Sequence, residues 1–534
     1  MTEKNSAKFD ALDMSNYRIE QLPNRPKSGF ERWMAYLGAP LAIAAFAFLY
    51  WFADIPFLNN IGSEHLSGDA VKRFNDLGVE GFSRINYAML AIFVASIILW
   101  ITEAIPNYLT SLFVILAIVL TGVTSEKMAY AQLGHPVMWL NILSFVLASM
   151  LVKTQAAKRF ALWFVVHFGK NATWIFFSFI VINVVLSAFI SATTAKAAIL
   201  LPIFMVVAAI YGATGGNNRN NFGRNIVLQN LFQINVSASG FMTGSGANLL
   251  AVSLIIGAGA TIGYQQWFMA AFPLCMLIII LGWFVGTKII FPMKKEEQMP
   301  QIAGGMERLK EELVKMGPMK KEEYKAIAIF IGVLFMWATK GYFHNISETA
   351  VAFIGAVVAL IPYGIGVVKW NDVDIPWHLM IFSAGAYTLG TGLDATNLPN
   401  TAVDSAFNAL GVSASTPFWI LFAVLTGAMM FSAILFQSKT MRCLIFVPIA
   451  IGVAQKFGYP LMSLAFPVAL LIEHVYVLPF NSKPAALLYT TDQYSWSDTF
   501  KFGLTMMVLS WGLMFLWGET VLRWMGYLPN GVFF

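Results

Sequence analysis

Cysteine and charge are both scarce in this sequence. Two cysteines, Cys275 and Cys443, occur in 534 residues, and both lie inside apolar stretches. They cannot form a disulfide framework or a metal cluster, so we expect neither a metal site nor a cofactor. Charged residues make up 12% of the chain, about half of the ~25% typical of soluble domains. The composition therefore argues against a soluble protein.

Several functional signatures are also missing. The sequence has no Walker A motif, so nothing in it supports an ATP-driven pump. Its histidines and cysteines form no cluster that a membrane enzyme would use, so we expect a protein that is not an enzyme. Residues 1–35 are polar and lack the apolar core of a signal peptide; we interpret them as a cytoplasmic tail. The net charge of +6 fits basic cytoplasmic loops and requires no nucleic-acid partner.

Apolar residues, by contrast, are abundant and come in long runs. They form 58% of the chain, and a helix needs ~20 of them in a row to cross a hydrocarbon core. This pattern predicts an all-α, multi-pass membrane protein in the lipid bilayer of the cytoplasmic membrane. One charged interruption, residues 292–323, reads as a cytoplasmic linker between two membrane halves, 36–291 and 324–534.

The two halves contain similar features in the same order, which indicates an internal repeat. Each half has a proline-led apolar run, then a polar break ahead of a second proline, then a polar turn. The offset between partners is roughly 237 to 247 residues. The pairs are His135–Val137 with Ile375–Trp377, Ser191–Lys196 with Ser438–Arg442, and Gly244–Asn248 with Asn481–Ala485.

Polar breaks at matching places in two repeats are typical of the binding site of a transporter. Unwound backbone cannot face lipid, because its N–H and C=O groups would have no partners. We therefore predict re-entrant hairpins at about 133–153 and 374–396, and broken helices at about 172–210 and 416–455. The ends of broken helices offer dipoles and free amides to an anion.

Four basic residues fall inside these breaks, together with many short hydrogen-bond donors. Ionisable groups within a span are costly and normally mark a ligand site or pathway. Fixed positive charge among such donors suits a carboxylate. The alternatives are snorkelling toward the membrane surface, or pairing with Glu473, Asp394 or Glu103. The predicted substrate-binding residues are Ser191, Thr193, Thr194, Lys196, Ser245, Asn248, Ser438, Lys439, Thr440, Arg442, Asn481, Ser482 and Lys483.

The order of these motifs resembles the divalent anion/sodium symporter family. Trp100–Pro106 is similar to its opening Trp-x-Thr-Glu-Ala-Ile-Pro signature. The segments before Pro202 and Pro448 resemble its paired Ser-Asn-Thr motifs, and the turns at Ser245–Asn248 and Ser482–Ala485 resemble its paired turns. The resemblance implies an inverted-repeat, elevator-type transporter with eleven spans and two re-entrant hairpins, which forms a homodimer. It also implies that these motifs bind substrate carboxylates and, in sodium-coupled members, help to coordinate sodium.

This chain departs from the family pattern in ways that bear on coupling. The first motif reads Ser191-Ala192-Thr193, and Lys439 stands at the Asn position of the second. A fixed cation repels sodium strongly in a low-dielectric site. We therefore predict a sodium-independent antiporter that exchanges C4 and C5 dicarboxylates such as succinate, malate, fumarate and 2-oxoglutarate. The alternative is a Na⁺- or H⁺-coupled symporter of di- or tricarboxylates, or of sulfate, with the same fold.

Overall fold

The computed structural model describes residues 10–17, 29–59, 61, 66, 69–216, 218–302, 304–362, 364–396, 398, 416–436 and 438–533. Within this part the chain is helical and has no β-strand, only two isolated bridges. Most of the predicted tail, 1–35, lies outside the described residues. The first helix begins at Gly29, so it includes the last residues of the predicted tail.

The described part of the first half contributes twelve α-helices. They are α1 (Gly29–Ala47), α2 (Pro56–Asn59), α3 (Asp69–Thr102), α4 (Asn107–Leu120), α5 (Glu126–Ala131), α6 (Pro136–Lys153), α7 (Ala156–Phe168), α8 (Ala172–Phe189), α9 (Thr193–Ile210), α10 (Asn221–Ser239), α11 (Gly246–Gly257) and α12 (Tyr264–Val285). Wider π-turns extend α1 through Phe48–Phe52 and α12 through Gly286–Ile290.

The linker and the second half contribute the remaining described helices. They are α13 (Gly305–Lys315), α14 (Lys321–Thr339), α15 (Glu348–Leu360), α16 (Trp377–Thr396), α17 (Phe418–Phe431), α18 (Lys439–Lys456), α19 (Met462–Leu470), α20 (Lys483–Tyr489) and α21 (Trp496–Trp517). A π-turn, Gly518–Leu522, extends α21.

Seven of the described helical segments are long and apolar enough to cross a membrane, and four shorter apolar helices accompany them. Many aromatic side chains on the outside of α1 are exposed, including Trp33, Tyr36 and Trp51. Exposed apolar surface of this extent is stable only in contact with lipid or with another apolar surface. The chain is therefore a multi-pass, all-helical membrane protein, as the composition predicted.

The chain reversals lie elsewhere than we predicted from sequence. The hairpins expected at 133–153 and 374–396 are single continuous helices, α6 and α16. Their polar residues need no chain break, because Ser144 Oγ donates to Leu140 O and Thr388 Oγ1 donates to Ala384 O within the helix. A hydroxyl that bonds one turn back in this way is compatible with an uninterrupted helix.

The segments expected to be broken helices each consist of two helices that fold back on one another. Lys196 Nζ on α9 lies 2.5 Å from Ser187 Oγ on α8, and Arg442 Nε on α18 lies 3.0 Å from Ser432 Oγ at the end of α17. In a straight helix, residues nine or ten apart would be separated by about 14 Å along the axis. We call α8–α9 hairpin 1 and α17–α18 hairpin 2.

Each hairpin is followed by a helix that is interrupted, by a segment with a short 3₁₀ turn (Met242–Gly244) in the first half and by a segment without regular helix in the second. Break 1 spans residues 240–245 between α10 and α11, and break 2 spans residues 471–482 between α19 and α20. The halves pack reciprocally, since α11 contacts α18 of hairpin 2 and α20 contacts α9 of hairpin 1. This exchange of partners brings both hairpin tips and both breaks into one region.

The charged linker is folded against the membrane helices. Leu309 on α13 is fully buried, and α13 packs against α7 and α9. Arg159 on α7 anchors the far end of the linker, with its Nε 2.6 Å from Glu323 Oε2 and its Nη1 2.7 Å from Gly317 O. The linker therefore fixes the position of α14 relative to the first half.

Candidate functional site

The tips of the two hairpins set the geometry of the site. The backbone is extended at Ile190 and Ala192, and α9 starts at Thr193. The tip of hairpin 2 contains Leu435, Phe436 and Ser438, and α18 starts at Lys439. Both tips therefore end in a helix N-terminus, where unpaired N–H groups and the helix dipole favour an anion.

Lys196 lies one turn inside α9 and is fully buried. Its ammonium group donates to Ser187 Oγ at 2.5 Å and to Ile234 O at 3.0 Å. Both acceptors are neutral, and no described carboxylate lies within ion-pair distance of it. The amine therefore connects hairpin 1 to α10 and carries its charge without a direct counter-ion.

A ladder of buried polar side chains continues from Lys196 along α10. Ser187 Oγ and Ser237 Oγ are 2.5 Å apart. Asn183 Nδ2 donates to Asn230 Oδ1 at 3.0 Å and to Gln233 Oε1 at 3.2 Å. All of these residues are buried, and such a network gives a hairpin one fixed packing arrangement. Sequence reasoning missed them, although polar residues recur every three or four positions along residues 221–239.

Arg442 is the counterpart of Lys196 in hairpin 2, since each lies six residues before its proline. Its guanidinium is fully buried, and all five N–H groups point at protein acceptors. Nε donates to Ser432 Oγ at 3.0 Å, and Nη1 donates to Ile472 O and His474 O at 3.2 Å each. Nη2 donates to Met429 O and lies 3.5 Å from Met430 O.

Arg442 therefore clamps hairpin 2 onto break 2. With its donors occupied, it supplies positive charge to the site rather than free hydrogen bonds to a ligand. No described acidic side chain forms an ion pair with it. That Arg442 interacts with the substrate remains a prediction. Because its N–H groups already bond protein acceptors, we expect that interaction to be electrostatic and not a direct hydrogen bond.

Among the described residues of this site, Lys439 is the basic residue that forms an ion pair with a carboxylate. Its Nζ lies 2.7 Å from Glu473 Oε2, and its side chain is 19% exposed whereas that of Glu473 is fully buried. Glu473 belongs to break 2, so this ion pair joins the tip of hairpin 2 to that break. The sequence offered Glu473 only as an alternative partner for the basic residues.

Four of the predicted residues shape the breaks and the helix starts. The hydroxyls of Ser245, Ser438 and Ser482 accept from Ala247 N, Met441 N and Ala485 N, so they are the N-caps of α11, α18 and α20. Asn481 Nδ2 donates to Ala433 O at 2.5 Å and to Phe436 O at 3.3 Å. It therefore ties break 2 to the tip of hairpin 2.

Asn248 plays a more local part. Its Nδ2 donates to Ala238 O at 2.9 Å and to Phe241 O at 3.0 Å, which closes break 1 on itself. Its Oδ1 is buried and has no hydrogen-bond partner in the described part of the chain. Ser191 Oγ at the tip of hairpin 1 is likewise buried and without a hydrogen-bond partner among the described residues. Both oxygens therefore have unused capacity to accept a hydrogen bond.

The remaining predicted residues differ in burial. Thr193 is buried, and Thr194 and Thr440 are half-buried next to the two tips. Lys483 is exposed, and its Nζ lies 3.4 Å from His378 Nε2. The structure therefore buries Lys196 and Arg442, leaves Lys439 half-buried at the start of α18, and leaves Lys483 exposed.

The buried charges do not cancel. Lys439 and Glu473 are the charged side chains near enough to act electrostatically on Lys196, and Glu473 also acts on Arg442. With all four side chains ionised, the cluster of Lys196, Lys439, Arg442 and Glu473 carries three positive charges and one negative charge, a formal net charge of +2. An uncompensated charge is costly in a low-dielectric interior, so such a site favours an anion.

The described residues contain no group of three or more His, Cys, Asp or Glu that could hold a metal ion.

A cavity of about 420 Å³ lies beside hairpin 1 instead of at its tip. Its lining includes Met14, Lys158, Ile199 and Glu312, and it contains none of the predicted site residues.

Comparison with known proteins identifies the family. A family model described as the sodium:sulfate symporter transmembrane region matches residues 79–528. The chain therefore belongs to this family, the divalent anion/sodium symporters, as the motifs predicted. Its members are transport proteins and not enzymes.

Two relatives and one solved structure illustrate the range of this similarity. A putative malate transporter, YflS of Bacillus subtilis, is 29% identical over 62% of this chain and 68% of its own length. A sodium-dependent dicarboxylate transporter, SdcS of Staphylococcus saprophyticus, is 24% identical over 80% of this chain and 85% of its own length. The solved YdaH transporter of Alcanivorax borkumensis is 12% identical, with a TM-score of 0.48, over 91% of this chain and 97% of that chain.

Proposed function

We propose that this protein is a dicarboxylate exchanger of the cytoplasmic membrane that works without sodium. The proposal rests on the formal net charge of +2 of the cluster of Lys196, Lys439, Arg442 and Glu473, in which only Lys439 is partly exposed. A dicarboxylate dianion would neutralise it. The names of the relatives, a malate and a dicarboxylate transporter, agree with this substrate class.

The positive charges of the cluster are covalent, which is the reason for proposing exchange. A sodium symporter can return empty because its cations dissociate with the substrate. Here two uncompensated charges would cross with the empty site, at roughly 2.5–3.5 kcal/mol each on insertion scales. A total of about 5–7 kcal/mol would slow the empty return by on the order of 10³–10⁵ if it all appeared in the barrier. Contacts with protein and water reduce this figure but not its sign.

A second candidate is an ion-coupled symporter of the same substrates. It is favoured by the unpartnered buried oxygens Ser191 Oγ and Asn248 Oδ1, because oxygen atoms are the ligands that hard cations take. The sodium-dependent relative supports the same alternative. The elevator motion and the homodimer remain predictions under both candidates.

The test is uptake of labelled succinate into liposomes that contain the purified protein. Liposomes preloaded with malate or 2-oxoglutarate should take up succinate at least roughly tenfold faster than empty ones, which allows for a strongly discounted barrier. Choline or potassium buffer should give the same rate as sodium buffer. Equal rates into empty and loaded liposomes would refute exchange. A tenfold stimulation by sodium would favour the symporter.

A further inference from the structure

Glu473 is an unusual residue for an anion site, because it places a carboxylate where a negatively charged substrate is expected. Its side chain is fully buried. Oε2 accepts from Lys439 Nζ at 2.7 Å, and Oε1 has no hydrogen-bond partner in the described part of the chain. A buried carboxylate is tolerated only with a cationic partner, so Lys439 keeps Glu473 in this place.

The backbone around Glu473 is held on both sides. Arg442 Nη1 donates to Ile472 O and to His474 O, the carbonyls that flank it, at 3.2 Å each. Val475 N donates to Glu473 O at 2.9 Å. The carboxylate is therefore a fixed element of break 2, whereas Lys439 at the partly exposed start of α18 is the member of the pair that a ligand can reach.

The surroundings make Glu473 the sole negative contribution to the described cluster. Lys439, Arg442 and Lys196 are the charged groups around it, and His474 and Cys443 are its other titratable neighbours. With Glu473 the cluster carries +2, and without it the same three cations would carry +3. A site in a low-dielectric interior binds best the ligand that cancels its charge.

We propose that Glu473 is a specificity-determining residue that sets the valence of the substrate. It offsets one of the three fixed cations and so matches the site to dianions instead of trianions. The inference rests on the proposed dicarboxylate function. It assigns Glu473 no contact with the substrate, since its carboxylate would repel one.

The test compares citrate and succinate as competitors of labelled succinate uptake into succinate-loaded liposomes, at a mildly alkaline pH where citrate is fully ionised. In the wild type, succinate should compete better than citrate. In Glu473→Gln the citrate-to-succinate preference should rise by on the order of tenfold or more, because the charge of a low-dielectric site changes by one unit. Glu473→Asp, which keeps the charge, should retain the wild-type preference.

A measurement on the wild type covers the case in which Glu473→Gln does not fold. Competition by citrate should strengthen as pH falls from mildly alkaline to just below neutrality, where a growing share of citrate is doubly charged while most of the succinate remains a dianion. Competition that weakens or stays constant would overturn the inference, as would an unchanged preference in folded Glu473→Gln. Absence of succinate exchange in the wild type would overturn the proposed function instead, so the two failures can be told apart.

Discussion

Hairpins 1 and 2 each bury a cation at the same position, but they hold it in different ways. Lys196 in hairpin 1 donates to two neutral groups, the Ser187 hydroxyl and the Ile234 carbonyl. Arg442 in hairpin 2 donates all five of its N–H groups: two to carbonyls of break 2, two to carbonyls near the end of α17, and one to the Ser432 hydroxyl. The guanidinium fork is suited to several fixed acceptors at once, whereas an ammonium acts as a compact charge.

This difference assigns different tasks to the two repeats. Break 1 is short, at residues 240–245, and Asn248 closes it from within. Break 2 is twice as long, at residues 471–482, so more backbone carbonyls need partners there. Arg442 donates hydrogen bonds to two of these carbonyls, so it has a structural role in addition to its charge. Lys196 donates to no carbonyl of either break, so we infer that its main contribution is its charge.

We expect the largest effect on succinate exchange when each buried cation is replaced by methionine. Arg442→Met leaves several buried carbonyls without donors, at ~1–3 kcal/mol each; we expect loss of succinate exchange together with a clear drop in thermal stability. Lys196→Met removes a buried charge without a counter-ion, so the protein should unfold at a similar or higher temperature. Its exchange rate should nevertheless fall on the order of ten- to a hundredfold, as for a lost charged interaction.

The measurement is a pair of assays on the same purified variants, liposome exchange and thermal unfolding monitored by fluorescence. Arg442→Lys is the control that keeps the charge and loses donors. It should exchange more than Arg442→Met while remaining less stable than the wild type. A large stability loss in Lys196→Met, equal to that of Arg442→Met, would show that the two cations have the same role.

The repeat and its buried cations could be predicted from sequence, but the path of the chain could not. Lys196 and Arg442 were found by their equal distance from Pro202 and Pro448, which is a one-dimensional signal. The predicted hairpins lie earlier in the chain than the observed ones, by two helices in the first half and by one described helix in the second, because small and polar residues in α6 and α16 resemble turns. Ser144 and Thr388 instead bond one turn back along their own helices, a choice that residue type alone does not determine.

The partners of the cations were even less accessible to sequence analysis. No sequence motif reveals the partners of Arg442. They include the backbone carbonyls of Ile472 and His474, and a backbone carbonyl is present in every residue. Lys439 and Glu473 are 34 positions apart, so their contact depends on how hairpin 2 folds onto break 2. The net charge of the cluster follows only after these contacts are known.

An intermediate effect is expected for the two asparagines. Asn481 ties break 2 to the tip of hairpin 2 through Ala433 O and Phe436 O, whereas Asn248 bonds only within its own repeat. Asn481→Ala and Asn248→Ala should each reduce stability by ~1–3 kcal/mol, the cost of stranding buried acceptors. Exchange should fall further in Asn481→Ala, because the tip of hairpin 2, which we propose lies at the substrate site, loses its link to break 2. Equal exchange rates in the two variants would contradict this distinction.

The smallest effect is expected for Lys483, the fourth cation that the sequence placed at the site. It lies at the first position of α20, where the chain turns its side chain outward, and its ammonium is 3.4 Å from His378 Nε2. Solvent screens an exposed charge, and exposed charge interactions are typically worth ~0.2–1 kcal/mol, so Lys483→Ala should change the succinate exchange rate by less than about fivefold. Lys439→Ala is the matched comparison at the equivalent first position of α18, and it should lose nearly all exchange because Glu473 is left buried without a partner. If Lys483→Ala were as defective as Lys439→Ala, the site would extend beyond the buried cluster, and the net charge that a substrate meets would be +3 instead of +2.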